Sequence, residues 1–381
     1  MPQTFDICIR GAGVVGRTLA LLLARERLRV ALVAPPLLPG TLTDVRAYAL
    51  NSASRTVLES LRSWPDDVHA TPVQRMQVRG DQGGEVCFEA DRQGVESLAW
   101  IVDVPALEAR LSEAVRFQPQ VEVVSAPVPA RLTAICEGRA SATRSQVGIE
   151  FDVTSYPQHA IAMRLECENL HGETARQWFG SDDSILAFLP MGGVQGHKVA
   201  VVWSVPANQV PGLMALDTTE FAQRLEAASE GALGSLRLVS ERATWPLQLA
   251  QAQQWCGMFP ANSAGAAADS GSWVLAGDAA HNVHPLAGQG LNLGLGDVQA
   301  LAEVLRTREP WRSVGDLRLL RRYERQRKAG ILPMGLTTDG LQQLFARSEA
   351  PLQLLRNWGM SGFERSGPLK DWVARRAMAS H

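Results

Sequence analysis

The segment Gly11-Ala12-Gly13-Val14-Val15-Gly16 constrains this chain more than any other. An apolar run, Phe5 to Arg10, precedes it; a stretch with helical spacing, Arg17 to Arg27, follows; a second apolar run, Arg29 to Val33, comes next. Strand, glycine-rich turn, helix and strand within about 30 residues make the βαβ unit of a dinucleotide-binding fold. Gly11 permits the tight turn, Gly13 lets backbone approach a pyrophosphate, and Gly16 lets the helix pack closely on the strand. The pyrophosphate would rest on the free N–H groups of the helix N-terminus. That fingerprint also wants an acid at the end of the second strand to hold the ribose hydroxyls, and there the sequence has Ala34.

At 381 residues and 46% apolar, the chain predicts two domains, or one large elaborated one. A net charge of only −2 argues against a dedicated nucleic-acid binder. The charge is segregated, however: residues 306–381 hold 15 Lys+Arg against 7 Asp+Glu, a balance of +8, which leaves −10 for residues 1–305. The basic part has helical spacing, through Arg318, Arg321, Arg322, Arg325 and Lys328, then Leu352, Leu354, Leu355 and Trp358 with Arg356 nearby. It reads as a solvated face, or as a surface for anionic lipid. Five scattered cysteines without a C-x-x-C pair predict no disulfide framework and a reducing cytosol. The N-terminus shows no basic signal-peptide region, and its apolar stretch Thr18–Ala24 is far short of the ~20 residues of a membrane span. A cytoplasmic protein is expected.

A second motif runs from Trp273 to Asp297. Apolar Trp273–Ala276 reads as a strand ending at Gly277-Asp278, an acid placed to accept a hydroxyl bond. Pro285 and the glycines after it build a loop, and Leu291, Leu295, Val298 and Leu301 have helical spacing. His281 and His284 read as loop residues, since two histidines three apart with no third ligand do not make a zinc site.

Taken whole, Gly277-Asp278-Ala-Ala-His281-x-x-x-Pro285-x-x-Gly288-Gln289-Gly290-x-Asn292-x-Gly294-x-x-Asp297 resembles the flavin-contact motif of the class A FAD-dependent aromatic hydroxylases. Asp44-Val-Arg46-Ala-Tyr-Ala-Leu-Asn-Ser-Ala-Ser54 resembles the matching segment of the ubiquinone-biosynthesis hydroxylases within that family. Trp100 to Asp103 with Leu107 and Leu111, Leu189 to Met191, and Tyr323 with Arg325 and Arg327 extend the likeness over residues 3–330.

The resemblance implies the p-hydroxybenzoate hydroxylase fold: an α/β, Rossmann-like FAD-binding domain of the glutathione-reductase type, an inserted antiparallel-sheet substrate domain and C-terminal helices. The FAD-binding domain would comprise 1–72, 100–150 and 259–335, the substrate domain 73–99 and 151–258, and the C-terminal helical segment 336–381. FAD would be held by Gly11, Gly13, Val15, Gly16, Arg46, Glu137, Asp278, Gly288, Gln289, Gly290, Leu291 and Asn292. Asp278 would bind the ribityl chain, the Gly288–Gly290 backbone would face the pyrimidine edge of the flavin, and Pro285 would lie near the ring where oxygen reacts. The implied activity is reduction by transiently bound NAD(P)H, then hydroxylation by molecular oxygen of a hydrophobic phenol, a polyprenylated one on the ubiquinone pathway. A homo-oligomer or a biosynthetic complex is compatible with this.

The chain departs from the family in the middle motif, where Cys136-Glu137-Gly138 has Glu in place of Asp, with Ser141 and Arg144 downstream. One extra methylene can move a carboxylate by more than ~0.5 Å, the tolerance of a working site. The stretch from Leu111 to Glu137 is also short, with room for one or two strands. With Ala34, these features suggest an alternative: a non-catalytic or weakly FAD-binding member acting as an assembly partner.

In the substrate domain, Val73–Val78 and Val86–Glu89 predict a hairpin, and short runs at His159–Cys167, Ala175–Phe179, Ile185–Leu189 and Lys198–Ser204 predict an antiparallel sheet. Phe221–Ala228 predicts a helix. Ten tryptophans read as ordinary core filling, with Trp178, Phe179, Phe188, Trp203 and Trp245 the candidates for a pocket lining.

Overall fold

Phe5–Arg10 becomes an inner strand of a six-stranded sheet in the computed structural model, which describes residues 5–34, 44–81, 83–259, 271–282 and 290–346. The strand order is Cys256–Met258, Ser272–Leu275, Ala130–Ile135, Phe5–Arg10, Val30–Val33 and Val121–Val124. All neighbours are parallel except the Cys256–Met258 edge. Parallel strands covered on both faces need continuous apolar runs rather than alternation; Val30–Val33 and Ser272–Leu275 are buried at every position. The helices Val14–Arg25, Val104–Arg116, Gly290–Arg306 and Leu317–Ala346 share one core with this sheet, through Leu19, Leu107, Leu301 and Tyr323.

The glycine turn has the geometry its spacing requires. Gly11 sits at φ +107°, and a Cβ there would lie 2.4 Å from the Cys136 carbonyl oxygen. A Cβ on Gly16 would lie 1.9 Å from the Gly11 oxygen, so only glycine lets helix and strand approach this closely. The helix starts at Val14, three residues earlier than its apolar spacing announces, because the β-branched Val14 and Val15 form its first turn.

The second sheet has nine strands. Eight lie in the order His281–Asn282, Ala243–Ala252, Phe151–Cys167, Lys198–Pro206, Ile185–Met191, Thr174–Phe179, Arg75–Arg79, Glu85–Glu89, and Leu236–Leu238 pairs beside Phe151–Cys167. It is antiparallel apart from the Thr174–Phe179 and Arg75–Arg79 pair. The expected hairpin forms between Arg75–Arg79 and Glu85–Glu89. Val73 belongs instead to Ala70–Val73, which joins Ala99–Asp103 and Ala47–Leu50 in a three-stranded sheet.

Asp217 caps the Thr218–Ala228 helix, accepting from the Thr219 and Glu220 amides at 2.8 Å. This helix lays Phe221 and Leu225 against one face of the nine-stranded sheet, in a second core that holds Trp178, Phe188 and Trp203. Three of the five aromatic candidates for a pocket lining are therefore packing residues, their rings in edge contact with Phe188 and Phe221. Period-two alternation puts them on one face together, and the covering helix decides which face that is.

The two sheets exchange strands near residue 280. Cys256–Met258 leaves the substrate stretch for the six-stranded sheet, and His281–Asn282 crosses to pair with Ala243–Ala252. The Leu317–Ala346 helix runs unbroken through position 335. Arg318, Arg321, Arg322 and Arg325 are exposed on it, whereas Leu352–Trp358 lies outside the described residues.

Candidate active site

Ser272–Leu275 ends in a single tight turn, Gly277–Ala279, that carries Asp278. The turn is pinned on both sides of that residue. On one side the Gly277 amide donates to Asp297 Oδ2 at 2.8 Å. On the other, Arg144 Nη1 donates to the Ala279 carbonyl at 3.1 Å. Arg144 also holds the Arg139 carbonyl and lies 3.7 Å over the Phe151 ring. The Asp278 carboxylate itself accepts no hydrogen bond among the described residues. Burial pushes it above the ordinary aspartate value, only partly opposed by the positive charges of His281, Arg46 and Arg139.

Asp297 behaves oppositely. It is wholly buried, yet His281 Nε2 at 2.6 Å and Arg327 Nε at 2.7 Å hold its carboxyl below the ordinary range against the desolvation that would raise it. Arg327 donates further to the Leu293 carbonyl, and Tyr323 donates from its hydroxyl to Leu275. His281 stacks on Trp255 with ring centroids 5.0 Å apart. It is thus a buried strand residue paired with Asp297, where its sequence context suggested a loop.

Val15 is the buttress beneath. Cβ atoms on Gly277 and Gly294 would come within 3.2 and 2.9 Å of its methyls, so first helix, acid turn and distal helix meet at glycines. Above them, Gly13 ends the first turn in extended backbone with no side-chain cap on the helix. A Cβ there would meet nothing nearer than Glu108 at 3.9 Å. Helix N–H groups that the N-cap residue cannot satisfy suit an anion.

Arg46 is gripped by Asp44, with Nε 2.9 Å and Nη2 2.5 Å from its oxygens, and that bond raises the guanidinium above its usual value. Arg164, from the nine-stranded sheet, fixes this segment from behind. It pairs with Asp103 at 2.5 Å and donates to the carbonyls of Asp44, Val45 and Arg46 at 3.2 to 3.5 Å. Asn292 ties the distal helix to the same segment: its Oδ1 accepts from the Asn51 amide and Ser54 hydroxyl, and its Nδ2 donates to the Ala49 carbonyl. Leu291 is buried in the main core, and Gly290 begins the distal helix with its Cβ position 4.0 Å from Asp278 Oδ1.

Glu137 turns its carboxylate to the start of the short Ala142–Gln146 helix. Ser141 Oγ, Thr143 Oγ1 and the Thr143 amide donate to it at 2.6, 2.7 and 3.0 Å. The added methylene is accommodated as a helix cap. Pro285, Gly288 and Gln289 lie outside the described residues.

Some of these residues border a cavity of about 820 Å³ between the nine-stranded sheet and the Asp44–Ala49 segment. Arg46, Glu137, Arg139, Asp278 and Gly290 line one part, and alanines, valines and leucines of the sheet most of the rest. Its size suits a small-molecule or cofactor site, for which 300–1,000 Å³ is typical. The uncommitted acid, the open helix N-terminus and the apolar wall together fit a flavin dinucleotide with an aromatic partner.

Arg164 belongs to no motif expectation, and Asp103, Arg144, Asp297 and Arg327 carried none beyond matching the pattern. The visible trace of Arg164 is one cation inside the apolar run Ala160-Ile-Ala-Met-Arg164-Leu. Its partner, 61 residues away, leaves no such trace.

Comparison with known proteins places the chain in a family. A family model described as FAD binding domain matches residues 110–331. The ubiquinone hydroxylase of Rhodospirillum rubrum is 32% identical over 98% of this chain and 90% of its own. The 3-demethoxyubiquinol 3-hydroxylase of Escherichia coli is 28% identical over 99% of each. Among solved structures, a variant of HpxO from Klebsiella pneumoniae complexed with FAD shares the fold, with a TM-score of 0.70 at 16% identity over 99% of both chains.

Proposed function

The chain belongs to the FAD-binding aromatic hydroxylase family that includes the ubiquinone hydroxylases, and on that premise we propose that it is an FAD-dependent monooxygenase of ubiquinone biosynthesis. It hydroxylates a hydrophobic aromatic substrate, with NAD(P)H as reductant. One observation carries the reading at this site: an acid whose flanking backbone is pinned, but whose carboxylate is unengaged among the described residues, on the wall of a large apolar cavity.

In this reading Asp278 receives hydroxyl donors of the ribityl chain. The turn at Gly13 receives the pyrophosphate, at a helix N-terminus whose N-cap residue makes no side-chain cap bond among the described residues. Arg46, braced by Asp44 and Arg164, places a fixed positive charge on the same wall. Bound there, FAD would supply the redox chemistry, by which two electrons from NAD(P)H, with the accompanying protons, would activate dioxygen so that one oxygen atom goes to the ring and the other to water. The protein holds the ring against the apolar sheet face and keeps water from competing.

The purified protein is expected to be yellow, with a flavin absorption spectrum, and to oxidise NAD(P)H faster when a prenylated phenol is added. Colourless protein that cannot be reconstituted with FAD would sink the proposal.

Among the described residues no helix is long and apolar enough to cross a membrane. The exposed Arg318, Arg321, Arg322 and Arg325 support a peripheral contact with anionic lipid, which would bring the enzyme to a membrane-borne substrate; each such cation contributes about 1 kcal/mol near the surface. Co-sedimentation with anionic vesicles is expected to exceed that with neutral ones and to fall as salt rises. Equal binding to both would dismiss the contact.

A further inference from the structure

The nine-stranded sheet is unlike on its two faces. Register puts Ala243, Ala162, Val202 and Ala187 side by side across four strands. One residue away along three of these strands the opposite face carries Ile161, Trp203 and Leu186, and Trp178 continues that row on the next strand, Thr174–Phe179. The second row is packed in the core under the Thr218–Ala228 helix, and the first lines the cavity.

Protein interiors are normally filled to crystal-like density, and alanine is a poor strand residue. Three alanines in one transverse row of a sheet therefore leave space that the fold does not need. Adjacent strands are about 4.8 Å apart, so the row spans roughly 14 Å of floor. Beside it, in the next row on the same face, stands Ser204, flanked by Ala160 and Ile185. Ser204 is 4% exposed and lines the cavity, and its hydroxyl makes no hydrogen bond among the described residues. The residue is buried but lines the cavity, where a ligand oxygen can stand in for solvent as the partner of its hydroxyl.

We infer that the Ala243–Ala162–Val202–Ala187 row is the specificity determinant of the site: the side-chain volume missing there is the berth of the substrate's bulky apolar substituent, and the Ser204 hydroxyl meets the oxygen on the ring. The inference rests on the hydroxylase reading above, since it needs an aromatic substrate in this cavity. It differs from that reading in naming the residues that set substituent size. Ring and substituent would lie across the strands, with the polar Gln177, next after Ala187, marking the far end of the row.

The test uses FAD-loaded enzyme with phenol, 2-prenylphenol, 2-geranylphenol and 2-farnesylphenol as probes. The parent, Ala187→Phe, Ala162→Phe, the milder Ala187→Leu and Ser204→Ala are compared. Flavin content per chain is measured first, so that a misfolded variant is recognised and the Leu variant carries the comparison. In the alanine variants the ratio of kcat/KM for geranylphenol to that for phenol is expected to fall at least about tenfold, graded with side-chain size. Ser204→Ala is expected to uncouple turnover, giving more hydrogen peroxide and less hydroxylated ring per NAD(P)H at every probe length. An unchanged length profile in flavin-loaded Phe or Leu variants would overturn the berth. Unchanged coupling in Ser204→Ala would remove Ser204 from it. If the parent holds flavin but no probe stimulates NAD(P)H oxidation, the hydroxylase reading fails and the berth with it.

Discussion

Asp278→Ala is expected to weaken FAD binding by roughly 10- to 100-fold while leaving the apoprotein as stable as the parent, or more so. The magnitude follows from losing a hydrogen-bond acceptor that bears charge, worth about 1.5–3 kcal/mol. The sign for the apoprotein follows from the raised carboxyl: burial penalises its charge, and His281, Arg46 and Arg139 offset that only in part. An acid whose folded value lies above its unfolded one destabilises the fold as pH rises through that interval, so removing it relieves a cost at neutral pH. FAD titration followed by flavin fluorescence, with thermal melting of the apoprotein, measures both. A variant that keeps its FAD would place the ribityl contact elsewhere; one that melts much lower would make Asp278 a structural acid.

For Asp297→Ala the two readouts should exchange. Here the apoprotein is expected to lose about 3–5 kcal/mol, because the buried Arg327 charge loses this carboxylate. Against a typical total of 5–15 kcal/mol, that is enough to unfold a marginal chain. The pH dependence is reversed as well. Asp297 is held below the ordinary value, chiefly by His281 and then Arg327 against the pull of burial, so its contribution is present above the unfolded aspartate pKa, near 4. It is lost as pH falls from there through the depressed folded value. Urea unfolding of the parent and Asp297→Asn should thus show a gap that is wide at pH 7 and narrows below about pH 4. A gap that stayed constant through that range would mean the carboxylate charge is not what holds the network.

The two acids belong to one motif, and the sequence distinguishes them poorly. Asp278 is legible because it ends a strand beside a glycine, a local pattern that needs no partner. The glycines Gly11 and Gly16 are legible for the same reason: the constraint is steric and lies within a few residues, apart from the Cys136 backbone that closes on Gly11. Asp297 is spent on a histidine 16 residues before it and an arginine 30 residues after it. Asp103 is spent on Arg164 in another sheet. Such pairings depend on which elements end up adjacent, information that periodicity does not hold. The aromatic residues show the same limit. Alternation along Ile185–Met191 and Lys198–Pro206 groups Phe188 with Trp203 correctly, but the face that a helix would cover is decided 15 or more residues away, at Phe221 and Leu225. Glu137 shows the reverse case: its departure from the family residue is plain in sequence, and its accommodation by Ser141 and Thr143 is plain only in space.

Odd and even residues along the Phe151–Cys167 strand answer to different demands. Ile161, Met163 and Leu165 hold the domain together, while Ala160 and Ala162 border the cavity face. A mutation at Ala162 can change what the enzyme accepts without touching the packing beneath the helix, whereas Arg164 on the same face is committed to Asp103 and the Asp44–Arg46 carbonyls. A mutation at an odd position endangers the fold and leaves substrate choice alone. Such a protein can drift in substrate range by single steps without first acquiring spare stability, and a library aimed at new substrates should randomise Ala162, Ala187, Val202 and Ala243 while keeping Arg164.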